Sequence, residues 1–238
     1  MENFEKLPES MGAKLRTPKD KLLSVIEIIK DPKGNTTSVI AVEGEKKLDL
    51  SELLPEGTVF VVNDACLRSP NYGFHYRHGD PRSGDRPSTI EFPAAEINSQ
   101  SGRLGMLHEI GHALTDPSNR QGLFRTIRLT IELVEASPEI DKLKTQEDCD
   151  AFIVKEFHRQ MKERPMPITD EEISICINRI IRDEEVAWET VLILHHKVKD
   201  EEGIDLLGGL SDEKISEIAN IDLASYRNTY MKFLPENI

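Results

Sequence analysis

The chain has 238 residues, which is enough for one large domain with a sizeable core. Its 43 acidic residues outnumber the 30 basic ones, for a formal net charge of −13, and a surface this negative disfavours binding to nucleic acid phosphates. The three cysteines form no CxxC pair, which favours a reducing compartment. The amino terminus lacks a signal-peptide pattern and no apolar run is long enough to span a bilayer, so we expect a cytoplasmic protein with no membrane partner.

The first half of the chain is predicted to consist of strands and loops. Residues 22–30 and 37–42 are rich in β-branched side chains and flank the turn sequence DPKGN at 31–35, which indicates a hairpin. Three further segments are predicted: strands at 58–62 and 88–92, and between them a loop at 69–87 that is rich in Pro, Gly, Asp and Arg.

A helix is predicted over 102–114, and it carries the pentad HEIGH at 108–112. Ser99 or Ser101 can cap its start, and the Asp-Pro pair at 116–117 ends it. Gly111 weakens a helix by about 1 kcal/mol relative to Ala, so its presence indicates close packing against a neighbouring element. The apolar back of this helix is predicted to consist of Leu104, Leu107, Ile110 and Leu114.

The pentad has the residue types of a zinc hydrolase. His108 and His112 leave the same face of a helix about 6 Å apart along its axis. Two neutral imidazoles at this spacing can bind one tetrahedral zinc ion, and Glu109 beside them can accept a proton from the attacking water. The pattern predicts metal-assisted hydrolysis of a peptide bond. The alternative is a solvated helix face that carries two histidines.

The second half of the chain is predicted to be helical. A helix at 122–136 is followed by one that Thr145 and Asp148 cap, and by a long one that a capping box of Thr169 and Glu172 opens. We divide the chain into a domain at 1–199, which is β-rich over about 20–95 and helical over 100–199, and a helical extension at 200–238. The remaining segments are the long helix to about residue 199, a break at 200–210, and one or two helices from 211 to about 232.

A catalytic zinc site needs a third protein ligand and an open position. The later histidine of the metzincin pattern is absent, since Thr115 and Ser118 stand where its glycine and histidine would be. Glu184 is the better candidate because it stands in the middle of an apolar stripe of the long helix. The stripe consists of Ile173, Ile177, Ile180, Ala187, Trp188 and Val191.

Burial of an ionised carboxylate without a partner costs several kcal/mol, so Glu184 needs a cation, and zinc held by the two histidines would supply it. Three alternatives stay open. Glu184 can form an ion pair with Arg179 or Arg182, or the helix can be rotated so that Glu184 meets water. Glu185 can also be the ligand instead. Glu185 is predicted at the edge of the stripe, where water reaches it.

The pentad at 108–112, followed by Glu-Glu-Val-Ala at 184–187, resembles the HExxH…ExxA arrangement of gluzincin-type zinc metallopeptidases. The HEIGH form is similar to short intracellular peptidases related to those that cleave phage repressors. The resemblance implies an α+β, zincin-like fold, with a small N-terminal twisted sheet, an active-site helix and a mostly helical C-terminal half. It also implies that the strand at 88–92 lies at the sheet edge and pairs with substrate. Trp188 departs from the Asp or Asn that often follows ExxA, and Glu189 or Asp116 would have to replace that partner of the histidines.

We therefore expect a zinc-dependent metallopeptidase with His108, His112 and Glu184 as zinc ligands, Glu109 as general base, and a peptide or protein as substrate. The alternative is a catalytically inactive zincin-fold module that regulates or binds other proteins, and a third reading is a metal-free helical interaction module. The histidines at 195 and 196 are predicted to form the polar end of the long helix. Candidate donors for the oxyanion are His75, Tyr76, His78, Tyr226 and Tyr230.

Overall fold

A computed structural model describes residues 24–64, 75–77, 87–115 and 122–235 of the chain. Within these ranges the protein is α+β, with short strands in the first half and a mostly helical second half, as predicted. The described residues form two compact units. Unit 1 takes its residues from Met1–Thr115 and Val186–Ala219, and unit 2 takes its residues from Asp116–Glu185 and Asn220–Ile238.

The first sheet of unit 1 is an antiparallel meander. Strands β1 (Val25–Lys30), β2 (Thr36–Glu43) and β3 (Lys46–Asp49) are neighbours in that order. The hairpin of β1 and β2 confirms the prediction. The carboxylate of Asp31 stabilises its turn by accepting the N–H groups of Lys33 and Asn35, each at 2.8 Å. Strand β3 was not predicted because Leu48 is its only apolar residue.

The second sheet of unit 1 has the order β4, β6, β5. Strands β4 (Thr58–Val62) and β6 (Ser88–Phe92) have the predicted bounds and run parallel. Strand β5 (His75–Arg77) pairs with β6 in the antiparallel sense and lies inside the segment predicted to be a loop. The expectation that β6 lies at the sheet edge is wrong, since it is the central strand, flanked on both sides.

Helix α1 (Gln100–Thr115) carries the pentad and lies against β5 and β6. The hydroxyl of Ser99 accepts the N–H of Gly102 at 2.9 Å, so Ser99 caps the helix, as one of the two predicted candidates. Three of the four residues on the predicted apolar back are buried. The exception is Leu114, which is 44% exposed, so its expected burial was wrong.

The later helices follow the predicted order. Thr145 accepts the N–H of Asp148 at the start of α3 (Gln146–Lys162), and Thr169 forms the predicted capping box at the start of α4 (Asp170–Lys197). The predicted break after α4 contains a π-helical turn, and one helix follows it. The bounds are Leu123–Glu135 for α2, Gln146–Lys162 for α3, Asp170–Lys197 for α4, Val198–Glu202 for the turn and Asp212–Met231 for α5.

Unit 2 has a core of its own. Apolar residues from α2, α3 and the first part of α4 pack together with residues at the end of α5. Helix α4 is continuous through the division between the units, which falls between Glu185 and Val186. The predicted domain boundary at residue 199 stays a prediction. Fully buried members of this core include Ile127, Phe157, Ile173, Ile177 and Phe233.

Among the residues that the structure describes, no helix combines the length and the apolar character that a bilayer crossing requires.

Candidate metal centre

Helix α1 directs the two histidines of the pentad towards each other. The Nε2 atoms of His108 and His112 are 3.1 Å apart, and their rings are nearly perpendicular, with centroids 4.6 Å apart. Each residue is only 8% exposed. The alternative of a solvated helix face with two histidines is therefore wrong.

Glu184 on α4 completes a cluster of three potential ligands. Each of the three side chains offers one ligand atom, and these atoms, from His108, His112 and Glu184, lie within 4.8 Å of one another. Glu184 is 5% exposed, and all six apolar residues predicted to surround it on the helix are buried. No other group of three such side chains occurs in the described ranges. The three predicted ligands thus lie together, and their role as metal ligands stays a prediction.

Glu185 has a different environment from Glu184. Its carboxylate accepts hydrogen bonds from Arg182, at 2.8 Å, and from Arg227, and these bonds lower its pKa. Arg179, the other arginine considered as a partner of Glu184, lies 3.5 Å from a carboxylate oxygen of Asp183. Glu185 therefore points away from the cluster, towards arginines at the surface of unit 2.

A close helix contact in unit 1 explains the glycine of the pentad. A Cβ atom added at Gly111 would lie 2.7 Å from the carbonyl oxygen of Ala187 and 3.2 Å from its Cα. Ala187 itself is fully buried. The predicted close packing at Gly111 is confirmed, and its neighbour is the alanine of the second motif. The small residues of both motifs therefore set the distance between α1 and the C-terminal part of α4.

Trp188, the residue after Ala187, packs against one of the histidines. The ring centroids of Trp188 and His108 are 4.6 Å apart, with 39° between the ring planes. The indole is buried, with 3% of the residue exposed. Glu189, one of the two acids considered as a replacement partner for the histidines, is exposed, and the other, Asp116, lies outside the described residues.

Glu109 lies where α1 meets the second sheet. Its half-buried carboxylate accepts the backbone N–H of Tyr76 on β5, at 2.7 Å. As the residue after His108, Glu109 leaves the helix about 100° away from it, so its carboxylate is beside the histidine pair rather than within it. This position suits a proton acceptor better than a fourth ligand.

The remaining oxyanion candidates divide into two groups. His78 and the side chain of His75 lie outside what the structure describes. Tyr226 and Tyr230 stack in unit 2, with ring centroids 4.8 Å apart. Burial raises the pKa of Tyr226 well above its usual value, and the negative charge of Glu184 raises it further. Tyr226 therefore stays protonated in the electrostatic neighbourhood of Glu184.

Arg128 on α2 is a further charge near Glu184 that the sequence did not suggest. Partial burial by itself lowers its pKa, but Tyr226, Tyr230 and Glu184 outweigh this effect and raise the pKa, and the side chain remains 43% exposed. An arginine on an amphipathic helix usually faces solvent, so no sequence signal distinguishes Arg128 from its neighbours.

A buried arginine near the start of α1 was also missed. Arg103 donates to the hydroxyl and the carbonyl oxygen of Ser24, at 2.5 and 2.7 Å, and to the carbonyl oxygen of Leu206, at 3.1 Å. Burial lowers its pKa to about 10, although Asp205 and Glu43 oppose this change. Arg103 ties α1 to distant parts of unit 1, which gives it a structural role.

The histidines near the end of α4 were only partly understood from the sequence. His196 is exposed and lies 2.9 Å from a carboxylate oxygen of Asp212. His195 is fully buried, so its expected place at a polar helix end is wrong. Burial lowers the pKa of His195 and favours its neutral form.

Comparisons of the chain with protein-family models, with curated proteins and with solved structures find no match.

Proposed function

We propose that the protein is a zinc-dependent metallopeptidase with a zincin-like fold. In this proposal His108, His112 and Glu184 hold the zinc, and Glu109 is the general base. The observation that carries the proposal is the convergence of three potential ligand atoms within 4.8 Å, contributed by buried side chains of two helices. The resemblance of the two motifs to those of gluzincin-type peptidases supports the same assignment.

The residues fit zinc by their chemistry and spacing. Two imidazole nitrogens and one carboxylate oxygen are a ligand set that zinc uses in hydrolases, with a fourth position left open. Two nitrogens bound to one tetrahedral zinc lie about 3.3 Å apart, and the two Nε2 atoms here are 3.1 Å apart. Calcium and magnesium prefer sites made of oxygen ligands, which this set does not offer. When bound, zinc supplies the Lewis acidity that activates water and polarises a peptide carbonyl.

The buried charge of Glu184 supports a cation at this point. Two neutral imidazoles with Nε2 atoms 3.1 Å apart either share one N–H in a hydrogen bond or direct both lone pairs at a cation. A carboxylate that is 5% exposed is costly to ionise unless positive charge compensates it. Arg128 supplies part of this positive charge, and a divalent cation between the histidines and Glu184 satisfies both requirements at once.

Glu109 would move the protons of the reaction. Its carboxylate accepts a proton from the attacking water and then delivers it to the amine that leaves. The hydrogen bond from the N–H of Tyr76, at 2.7 Å, holds one carboxylate oxygen of Glu109 in place.

In this proposal strand β5 pairs with the substrate, a role that the resemblance implied for β6. Glu109 contacts β5, and β6 already has a partner strand on each side. An extended peptide that adds to a sheet edge obtains backbone hydrogen bonds of the kind that fix its register. A cytoplasmic location and a peptide or protein substrate complete the proposal, and neither nucleic acids nor membranes are part of it.

The test of the proposed function is the substitution Glu109→Gln, with zinc content and hydrolysis of a mixed peptide library both measured. Gln keeps the shape of Glu109 but cannot accept the proton, so we expect zinc to be retained and cleavage to fall by about 100-fold or more. Glu185→Gln serves as the matched control and should keep both zinc and activity. Unchanged cleavage by the Glu109→Gln variant contradicts the proposal. A wild type that holds zinc and cleaves no peptide supports the inactive zincin-fold binding module instead.

A further inference from the structure

Trp188 contacts a predicted zinc ligand without belonging to the ligand set. Its ring centroid lies 4.6 Å from that of His108, within the range in which aromatic rings attract one another. Both side chains are buried, so the contact excludes water from one face of the imidazole. Trp188 is also the only tryptophan of the chain.

A histidine that binds a metal must be held in one orientation. Proteins usually achieve this with a hydrogen bond from the second ring nitrogen to an acceptor. An indole has a donor but no acceptor, so Trp188 cannot supply that bond. Trp188 can restrict His108 only through the face of the indole ring. This contact limits rotation about the bonds of the histidine side chain.

The indole is well placed to act as a fixed surface. It follows Ala187, whose backbone lies so close to Gly111 that an added Cβ would be 2.7 Å from the carbonyl oxygen. The backbone of Trp188 therefore cannot move unless the close contact between Ala187 and Gly111 moves with it. A metal ion also withdraws electrons from the imidazole, and the electron-rich face of an indole favours an electron-poor neighbour. The ring contact should thus be stronger when the metal is bound.

We propose that Trp188 is a positioning residue for the zinc site: its indole packs at a tilt of 39° against the ring of His108, holds that ring in place and thereby raises zinc affinity. This inference rests on the proposed function, because it assumes that His108 is a zinc ligand. It assigns to an aromatic face the role that a hydrogen-bond acceptor usually has.

The first test compares zinc dissociation constants of the wild type, Trp188→Phe and Trp188→Leu, measured by competition with a chromophoric chelator. Phe keeps an aromatic face, so its affinity should stay within about 3-fold of the wild type. Leu keeps an apolar side chain but loses the face, so its affinity should fall about 10-fold or more. The matched control is Phe60→Leu, which removes a buried aromatic ring of the same unit that contacts Phe92 edge to face, and it should leave zinc affinity unchanged.

The second test needs no variant and applies even if Trp188→Leu does not fold. Zinc should change the fluorescence emission of the single tryptophan, and cobalt at the same site should quench it. Equal zinc affinity of the Phe and Leu variants overturns the inference, as does zinc binding by the wild type with no change in emission. If the wild type binds no zinc, the proposed function fails and this inference fails with it. If zinc binds tightly and only the Trp188 effects are missing, the proposed function stands.

Discussion

Glu184 and Glu185 are adjacent carboxylates with different surroundings. Glu184 lies among buried apolar residues and near two imidazoles, whereas Glu185 is paired with Arg182 and Arg227 at the surface of unit 2. The difference arises because neighbouring residues on a helix point about 100° apart. The apolar stripe on α4 made this distinction visible in the sequence. The contact of Trp188 with His108 was not visible, because it depends on how two helices cross.

His158 is a buried histidine of unit 2 whose protonation should affect stability. It donates its Nε2–H to the carbonyl oxygen of Phe233 at 3.0 Å. Burial lowers its pKa below the usual 6.5, and the nearby charge of Lys162 lowers it further, while the hydrogen bond and Asp170 act in the opposite direction. The folded protein therefore binds this proton less readily than the unfolded chain does.

We predict that the free energy of unfolding decreases as the pH falls below about 6.5, because the unfolded chain takes up the proton first. The contribution of one histidine is at most about 1.4 kcal/mol per pH unit. Urea unfolding between pH 8 and pH 5, with a chelator present, measures this slope for the wild type and for His158→Gln. At pH 8 the difference in free energy of unfolding between the wild type and His158→Gln reports only the packing that the variant has lost. If the variant loses stability as steeply as the wild type below pH 6.5, the prediction is wrong.

The helix contact between Gly111 and Ala187 is the feature that brings the two motifs together. Any residue larger than glycine at position 111 would hold the two helices further apart. An added methyl group at Gly111 meets backbone atoms, which cannot rotate away. The close contact therefore depends on the glycine itself.

We predict that Gly111→Ala weakens zinc binding by at least 10-fold, although alanine favours the helix by about 1 kcal/mol. The methyl group would push α1 and the C-terminal part of α4 apart and separate the ligand atoms. The overpacking should also destabilise the protein by about 1–3 kcal/mol. Zinc affinity and thermal unfolding measure the two effects. Wild-type zinc affinity in a folded Gly111→Ala protein contradicts this account of the contact.

The elements differed in how well the sequence predicted them. Helices with a side-chain cap, such as those that begin after Thr145 and Thr169, were found because both cap and periodicity are local. Strands β3 and β5 were missed because they are short and carry few apolar residues. The central place of β6 was not predicted, since the order of strands in a sheet depends on residues far apart in the chain.

The long connection between the two motifs forms most of a separate unit. Helices α2 and α3 pack with the first part of α4 into the core of unit 2. The end of the chain contributes to this core through Phe233 and Leu234, which are buried.

Binding of one zinc ion to side chains from two helices is tested most directly by the zinc content of the purified protein. Elemental analysis should find one zinc per chain in the wild type and in Glu185→Ala, and almost none in Glu184→Ala. The reason is that Glu184 is the proposed third zinc ligand, whereas Glu185 supplies surface ion pairs worth about 1 kcal/mol or less each. A wild type without zinc, or a Glu184→Ala variant that keeps it while Glu185→Ala loses it, contradicts the account.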